Sequence, residues 1–421
     1  MPKQAVIVGA GFAGLNAAKK LANVRDVEVT VVDRRNHHLF QPLLYQVATA
    51  GLSPADIAVP VRNILAPYRN IKVLQGTVTS ADLEAKTVTT DFGTLDYNYL
   101  MLACGATHCY FGQDDWEQDA PGLKTIEQAT EIRRRILLAF EKAERCNDQE
   151  AVRKHLTFVI VGGGPTGVEL AGAIGEMSRY TLAKDFRSIN AKLTRVFLME
   201  AGPGILPMFD EDLSDRAVRD LESLGVQIWT SSKVSHVDDD GVQVGDETIR
   251  ASTVIWAAGV QASSLGEKLG LKTDRQGRIF VESDLSLPDH PEVFIAGDQA
   301  RFDENDEPLP GTAPVAVQQG RFIARTIRRD LKEQPREEFC FKDKGIMATI
   351  GRNRAVAQVG GWKFRGFFAW LTWLVVHIYF LTGFRNRLLV VLQWAWSYMT
   401  YRRGARLIVD KEWKLRSNSD E

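Results

Sequence analysis

Four cysteines in 421 residues fall far short of the density a disulfide framework needs. The first apolar run opens within a few residues of Met1, so no signal or transit peptide is expected ahead of the first strand. Both points favour a reducing, cytoplasmic compartment. Neither sign of charge dominates. Lys and Arg number 52 against 53 Asp and Glu, for a formal net charge of -1, so no nucleic acid is expected as a partner. No cluster of Cys and His has metal-ligand spacing: Cys146 and Cys340 are isolated, and Cys104 and Cys109 form only a C-x4-C pair. That pair invites a redox-dithiol reading. The weightier one is a small core hydrophobe, because Cys104 closes a buried-strand pattern. Long apolar runs are scarce too. Gly366 to Gly383 barely reaches the ~17 residues that span a bilayer, and Leu388 to Tyr401 falls short.

What the chain does have is 45% hydrophobic content and a repeated glycine grammar. VIVGAGFAGLNAAKKL places Gly9, Gly11 and Gly14 between an apolar β-branched run and a helical pattern, the setting of a dinucleotide fingerprint. Gly9 permits the tight turn, Gly11 lets a pyrophosphate approach backbone amides at a helix N-terminus, and Gly14 lets helix and strand pack closely. Asp33 ends the next apolar run, where a carboxylate accepts bonds from ribose hydroxyls. The segment that follows, RRNHHLFQPLLYQVATAGLSP, has no sustained period and reads as a ligand-covering loop.

The grammar recurs in TFVIVGGGPTGVELAGAIGEM, with Gly162, Gly164 and Gly167. Two fingerprints mean two dinucleotide sites in one chain, and so electrons passing between two carriers. The second acid is Glu200, which favours a free 2′-hydroxyl and hence NADH over NADPH. Arg195 nearby is the counter-evidence. Glu200 is far from Gly167, so an insertion around Tyr180 to Lys192 must lengthen the crossover. Glu169 falls in the first helical turn, where a dipole interaction is the plainer role. YLMLACGA and STVIWAAGV end alike, at Gly105 and Gly259. VFIAGDQA ends in Asp298, either a cofactor contact or a helix N-cap. In the helix that follows, Gln318 is a candidate donor to a carbonyl ligand; an exposed glutamine is the plainer alternative.

The tail differs in kind. Lys363 and Arg365 precede its first apolar piece, Arg385 and Arg387 separate the two, and Arg402, Arg403 and Arg406 follow. A transmembrane hairpin would carry the middle pair across, against the positive-inside tendency. Helices lying in the interface keep all three clusters at one anionic surface. The tryptophans at 362, 370, 373, 394, 396 and 413 suit such a belt. One true span and a soluble oligomer interface are the alternatives.

Together, VIVGAGFAGL, HHLFQPLLYQVATAGLSP, FVIVGGGPTGVELAG, FLMEAGPGIL, VIWAAGV, VFIAGDQA, APVAVQQG and GIMATIGR resemble a type II NADH dehydrogenase. The resemblance implies an α/β fold of two Rossmann-like, glutathione-reductase-like domains and a C-terminal helical membrane-binding region. Its implied boundaries are 1–121 plus 288–335 for non-covalent FAD, 122–287 for NADH as substrate, and 336–421 for the membrane. Gly9, Gly11, Gly14, Asp33 and Asp298, with backbone near Gly105 and Ala316, would hold FAD. Gly162, Gly164, Gly167, Glu200 and Gly259 would hold NADH. Glu169 would lie between nicotinamide and quinone, and Gln318 near the quinone head group, as the catalytic pair. Part of the family has a second glutamine where this chain has Pro314. The implied partners are a membrane quinone and the bilayer surface, with room for a homodimer, at the cytoplasmic side of the inner membrane. The rival readings are a sulfide:quinone or ferredoxin-type reductase, and a nucleotide-sensing membrane scaffold.

Overall fold

The computed structural model describes residues 1–304, 307–400 and 404–409. The first half of the chain supplies β1 (Lys3–Val8), α1 (Phe12–Leu21), β2 (Val27–Asp33), α2 (Leu44–Ala48), β3 (Ile71–Gln75), β4 (Tyr99–Leu102), α3 (Ile126–Arg145), β5 (Thr157–Val161), α4 (Pro165–Glu176) and β6 (Arg195–Met199). Then follow α5 (Glu211–Ser223), β7 (Val226–Trp229), β8 (Thr253–Trp256), β9 (Val293–Ile295) and α6 (Ala313–Asp330). The last stretch holds β10 (Ile346–Gly351), β11 (Arg354–Val359), β12 (Trp362–Arg365), α7 (Gly366–Phe380) and α8 (Phe384–Thr400). These fall into two compact units.

The first unit comprises residues 1–39, 58–109 and 260–344. Its parallel sheet has the order β9-β4-β1-β2-β3. Both faces are covered, which explains the unbroken apolar runs in its strands. Ile7, Val29 and Phe294 pack toward Leu15, Phe322 and Ile323 of α1 and α6, while Val6, Val32, Leu100 and Ile295 pack on the other side. Gly320 lets α6 cross α1 closely: a Cβ there would overlap the Ala13 carbonyl.

The second unit comprises residues 40–57, 110–259 and 345 onward. Its sheet, β7-β6-β5-β8, is also parallel. Phe140 of α3 stacks on Phe158 at 5.7 Å, while Val159, Phe197 and Trp256 pack on the opposite face. The crossover insertion forms three short helical turns, at Met177–Thr181, Leu182–Lys184 and Ala191–Leu193. The antiparallel sheet β10-β11-β12 packs on α4 through Gly172, where a Cβ would overlap the Ile350 carbonyl. Residues from Gly345 on group with this second unit, and residues 260–287 group with the first. The reason is local: Val260–Ala262 pairs with Ala106–His108 in the first unit, and the tail strands pack on α4.

The segment after Asp33 is not the irregular loop its sequence suggested. It holds a short strand, His37–Leu39, a 3-10 turn, Gln41–Leu43, and helices α2 and Pro54–Ile57. Leu43, Leu44, Val47 and Ala48 are buried, so its apolar content makes core. Among the described residues no helix is long and apolar enough to cross a membrane. At ~1.5 Å per residue, the 15-residue α7 reaches only about 22 Å. The expectations on Arg402, Arg403 and Trp413 lie outside the described residues.

Candidate functional site

Each sheet presents a glycine turn and an uncapped helix at its C-terminal edge. Gly11 and Gly164 are the N-caps of α1 and α4, and neither helix has a side-chain cap. Two other helices do have side-chain caps: Thr125 accepts from Gln128 in α3, and Asp148 caps the helix Gln149–His155. Open amides at α1 and α4 are what a pyrophosphate needs. A Cβ on Gly11 or Gly164 would meet nothing within 4 Å, so each glycine borders open space. Gly9 and Gly162 adopt φ +101 and +115, and a Cβ on Gly14 or Gly167 would overlap the Gly9 or Gly162 carbonyl. The six glycines therefore shape two matching turns that open onto uncapped helix N-termini.

The acids do more than await a ribose. Asp33 accepts from the Ala10 amide at 2.6 Å and the Arg35 amide at 2.7 Å. Glu200 accepts from Gly163 at 2.6 Å and Gly202 at 2.7 Å. Each carboxylate thus braces its own glycine turn and retains lone pairs for hydroxyls. Arg195 stands at the opposite end of β6, its guanidinium 4.8 Å from the Phe197 ring centroid. Gly105 and Gly259 share φ +69, so the resemblance of their strand ends is conformational.

Asp298 sits in the turn Gly297–Gln299. It is not the N-cap of α6; that residue is Thr312, without a side-chain cap. Asp298 instead borders a small cavity of about 50 Å³ with Gly297, Gly311 and Gln319. Sequence reasoning passed over Gln319, which is buried and accepts from the Gly297 amide at 2.7 Å. Gln299 accepts from Cys104 N at 2.8 Å, while its Nε2 is buried with no partner among the described residues. His38, also missed, is buried within 3.0 Å of the Ala10 carbonyl, and burial drops its pKa to about 4. The Ala316 amide already donates to Thr312. Gln318 exchanges two bonds with the Lys342 backbone, at 3.0 and 3.1 Å. Burial pushes the Cys104 thiol up to about 12, which disfavours the reactive thiolate.

Glu169 is the fifth residue of α4, beyond the first turn where the dipole is felt. It lines a cavity of about 440 Å³ with Ala173, Thr349, Trp370, Trp373, Trp394 and Tyr398. Burial raises its pKa to about 8, against a smaller opposing effect of the Thr349 amide that bonds it. At neutral pH the group is a carboxylic acid in an aromatic pocket. Tyr45, Gln46 and Thr49, from the supposed covering loop, form another wall. The Trp394 indole donates to Gln46 at 2.7 Å, and Gln46 to the Tyr45 hydroxyl at 2.9 Å. Outside the cavity, α7 and α8 expose a broad apolar face; Phe368, Tyr379 and Phe384 are 72, 70 and 81% exposed.

The family model described as pyridine nucleotide-disulphide oxidoreductase matches residues 3–320, and that of the NDH2 C-terminal domain matches 344–403. Type II NADH:quinone oxidoreductase Ndh of Mycobacterium tuberculosis is 44% identical, over 97% of this chain and 90% of its own length. The chain belongs to the type II NADH:quinone oxidoreductases. A second relative in this family, NdhA of the same organism, is also 44% identical, over 96% of this chain and 89% of its own. The solved structure of NDH2 from Plasmodium falciparum in complex with NADH superposes with TM-score 0.87 at 20% identity, covering 97% of this chain and all of that one, which shows a shared fold.

Proposed function

We propose that this chain is a non-pumping, FAD-dependent NADH:quinone oxidoreductase in which the first cradle holds FAD, the second binds NADH, and the aromatic cavity takes the quinone head group. The observation that carries this reading is a buried carboxyl, Glu169, lining an aromatic cavity, in a chain with two glycine turns that open onto uncapped helix N-termini. When bound in the first cradle, FAD would supply the redox chemistry, hydride acceptance from NADH and two-electron transfer to the quinone.

The protein's own residues bind, orient and protonate. Gly9, Gly11 and Gly14 admit the flavin pyrophosphate to the α1 amides, and Asp33 holds the ribose. Asp298 and the backbone near Gly105 and Ala316 border the rest of the cofactor. Gly162, Gly164, Gly167 and Gly259 shape the NADH cradle. Glu200 selects the free 2′-hydroxyl, since a 2′-phosphate would meet its charge. A quinone becoming a quinol takes up two electrons and two protons. The neutral Glu169 holds a proton at its carboxyl that a quinone oxygen can accept. Gln318 is the second quinone-side candidate, and donating to a carbonyl would require its amide to release Lys342. Sulfur transfer of the sulfide:quinone type has no support: burial disfavours the Cys104 thiolate, and no disulfide is formed among the described residues.

The apolar face of α7 and α8, with Arg365, Arg385 and Arg387 in or beside these helices, suits peripheral binding at the anionic cytoplasmic face of a membrane; Lys363 is already paired with Asp210 and Asp212. Anaerobic NADH should bleach the flavin of the purified protein, and a short-chain quinone should restore it. A bound flavin that NADH leaves oxidised would refute the donor assignment; reduction without reoxidation would refute the acceptor.

A further inference from the structure

The inference here rests on reading the aromatic cavity as the quinone site. Helix α8 forms one wall of that cavity through Trp394, Ser397, Tyr398 and Met399, yet much of its other face is exposed. Its position is set by a few ties. Asn386, near its start, donates to the Ala55 carbonyl at 3.2 Å, and Trp394 donates to Gln46. Its last turn is held by Arg352, from the turn between β10 and β11. The guanidinium donates to the Tyr398 carbonyl at 2.7 Å and the Ser397 carbonyl at 2.8 Å, and lies 5.0 Å from the Tyr398 ring centroid. At its other end Arg352 is tied to α4: its amide donates to Glu176 at 3.1 Å, and its guanidinium stands 3.9 Å from the same carboxylate.

This geometry needs arginine. Carbonyls in the last turn of a helix carry the negative end of its dipole, and two adjacent ones match a planar fork of donors. Lysine would bring the charge but not the fork. Arg352 and Glu176 are both largely covered, at 15 and 14% side-chain exposure, so water screens the arrangement only weakly. Glu176 lies seven residues after Glu169 on α4, and both line the cavity. The Tyr398 ring that Arg352 fixes also stacks on Trp370 of α7, centroids 5.6 Å apart.

We propose that Arg352 is a positioning residue for the quinone: by tying the last turn of α8 to α4, it holds the aromatic wall in place around the cavity that Glu169 enters. It sets affinity for the acceptor ring and leaves the NADH half-reaction alone. The test compares Arg352→Ala and Arg352→Lys in steady-state assays with a short-chain quinone and with ferricyanide, a small hydrophilic acceptor. In Arg352→Ala the quinone KM should rise about tenfold, the size of one lost charge-assisted hydrogen bond, with kcat, flavin bleaching by NADH and ferricyanide reduction near wild type. Arg352→Lys should recover part of the loss. A quinone KM within about twofold of wild type in both variants would overturn the proposal, as would an equal fall with both acceptors. Ala173→Phe, which fills the cavity from α4, separates the two levels. If Ala173→Phe raises the quinone KM and Arg352→Ala does not, only the role of Arg352 fails. An unchanged KM in Ala173→Phe, with ferricyanide reduction intact, removes the quinone from this cavity and the proposal with it.

Discussion

The two nucleotide folds start from the same glycine pattern and diverge in what covers their first helix. In the first unit α1 is crossed by α6, and Asn16, two residues after Gly14, spends its amide on the Phe12 carbonyl and on Arg321. In the second, α4 is crossed by β10, and the equivalent Glu169 lines a cavity and keeps its proton. A smaller difference runs in parallel. The first turn has Ala10 opposite the short Asp33, and the second has Gly163 opposite the longer Glu200, where an added Cβ would stand 3.0 Å from the glutamate's Cβ and Oε2. The cradle is thus generic, and the added layer decides whether a helix carries chemistry.

The strongest way to break this comparison is at the crossing itself. Gly172→Val should destabilise the second unit by about 3 kcal/mol or more, since overpacking against backbone has no flexible neighbour to yield; thermal unfolding and lost quinone turnover would report it. Gly320→Val, the counterpart against Ala13, should instead show first as lost flavin absorbance.

Next in size is Glu169→Gln, for which quinone turnover should fall on the order of 100-fold, the range of a lost general acid, with flavin bleaching by NADH little changed. Asn16→Gln at the matching position should leave both half-reactions intact. Turnover in the native protein should decline as pH rises through about 8, where Glu169 loses its proton. The sign for stability is the same. The folded pKa lies above the unfolded value, so the contribution of Glu169 is complete below about 4.5 and lost as pH rises toward 8. Glu169→Gln should flatten that slope in denaturant titrations. A wild-type pH profile in the variant would end the assignment.

A finer test lies in the turn. Gly163→Ala should raise the NADH KM about tenfold by displacing Glu200, roughly one charge-assisted bond, while flavin content stays constant. Smallest of all, Cys104→Ala should leave turnover and thiol reactivity unchanged; a labelled or redox-active Cys104 would reopen the dithiol reading.

Much of the fold could be read in advance because it is written locally. The helix at Ile126–Arg145 follows from its apolar spacing, and both strand-glycine-helix turns from sterics that only glycine meets. The acids were legible as strand ends. Their bonds to Ala10 and Gly163 were not, because those depend on a register set by other strands. Residues 41–48 misled because their turns are too short to show a period. Which of Gln318 and Gln319 is buried also lay beyond the pattern: adjacent residues stand about 100° apart around a helix, and only packing says which is covered. Glu169 was singled out only by the family resemblance, its plainer reading being a dipole contact; its burial depends on β10, some 180 residues away, and on walls from α2, α7 and α8.

The exposed belt on α7 and α8 changes what a kinetic constant means for this enzyme. If these side chains lie among lipid tails, enzyme and acceptor meet in a two-dimensional phase, and the relevant quinone concentration is its mole fraction in that phase. Adding empty lipid at constant total quinone should then slow turnover by dilution within the surface, although nothing in the aqueous volume has changed.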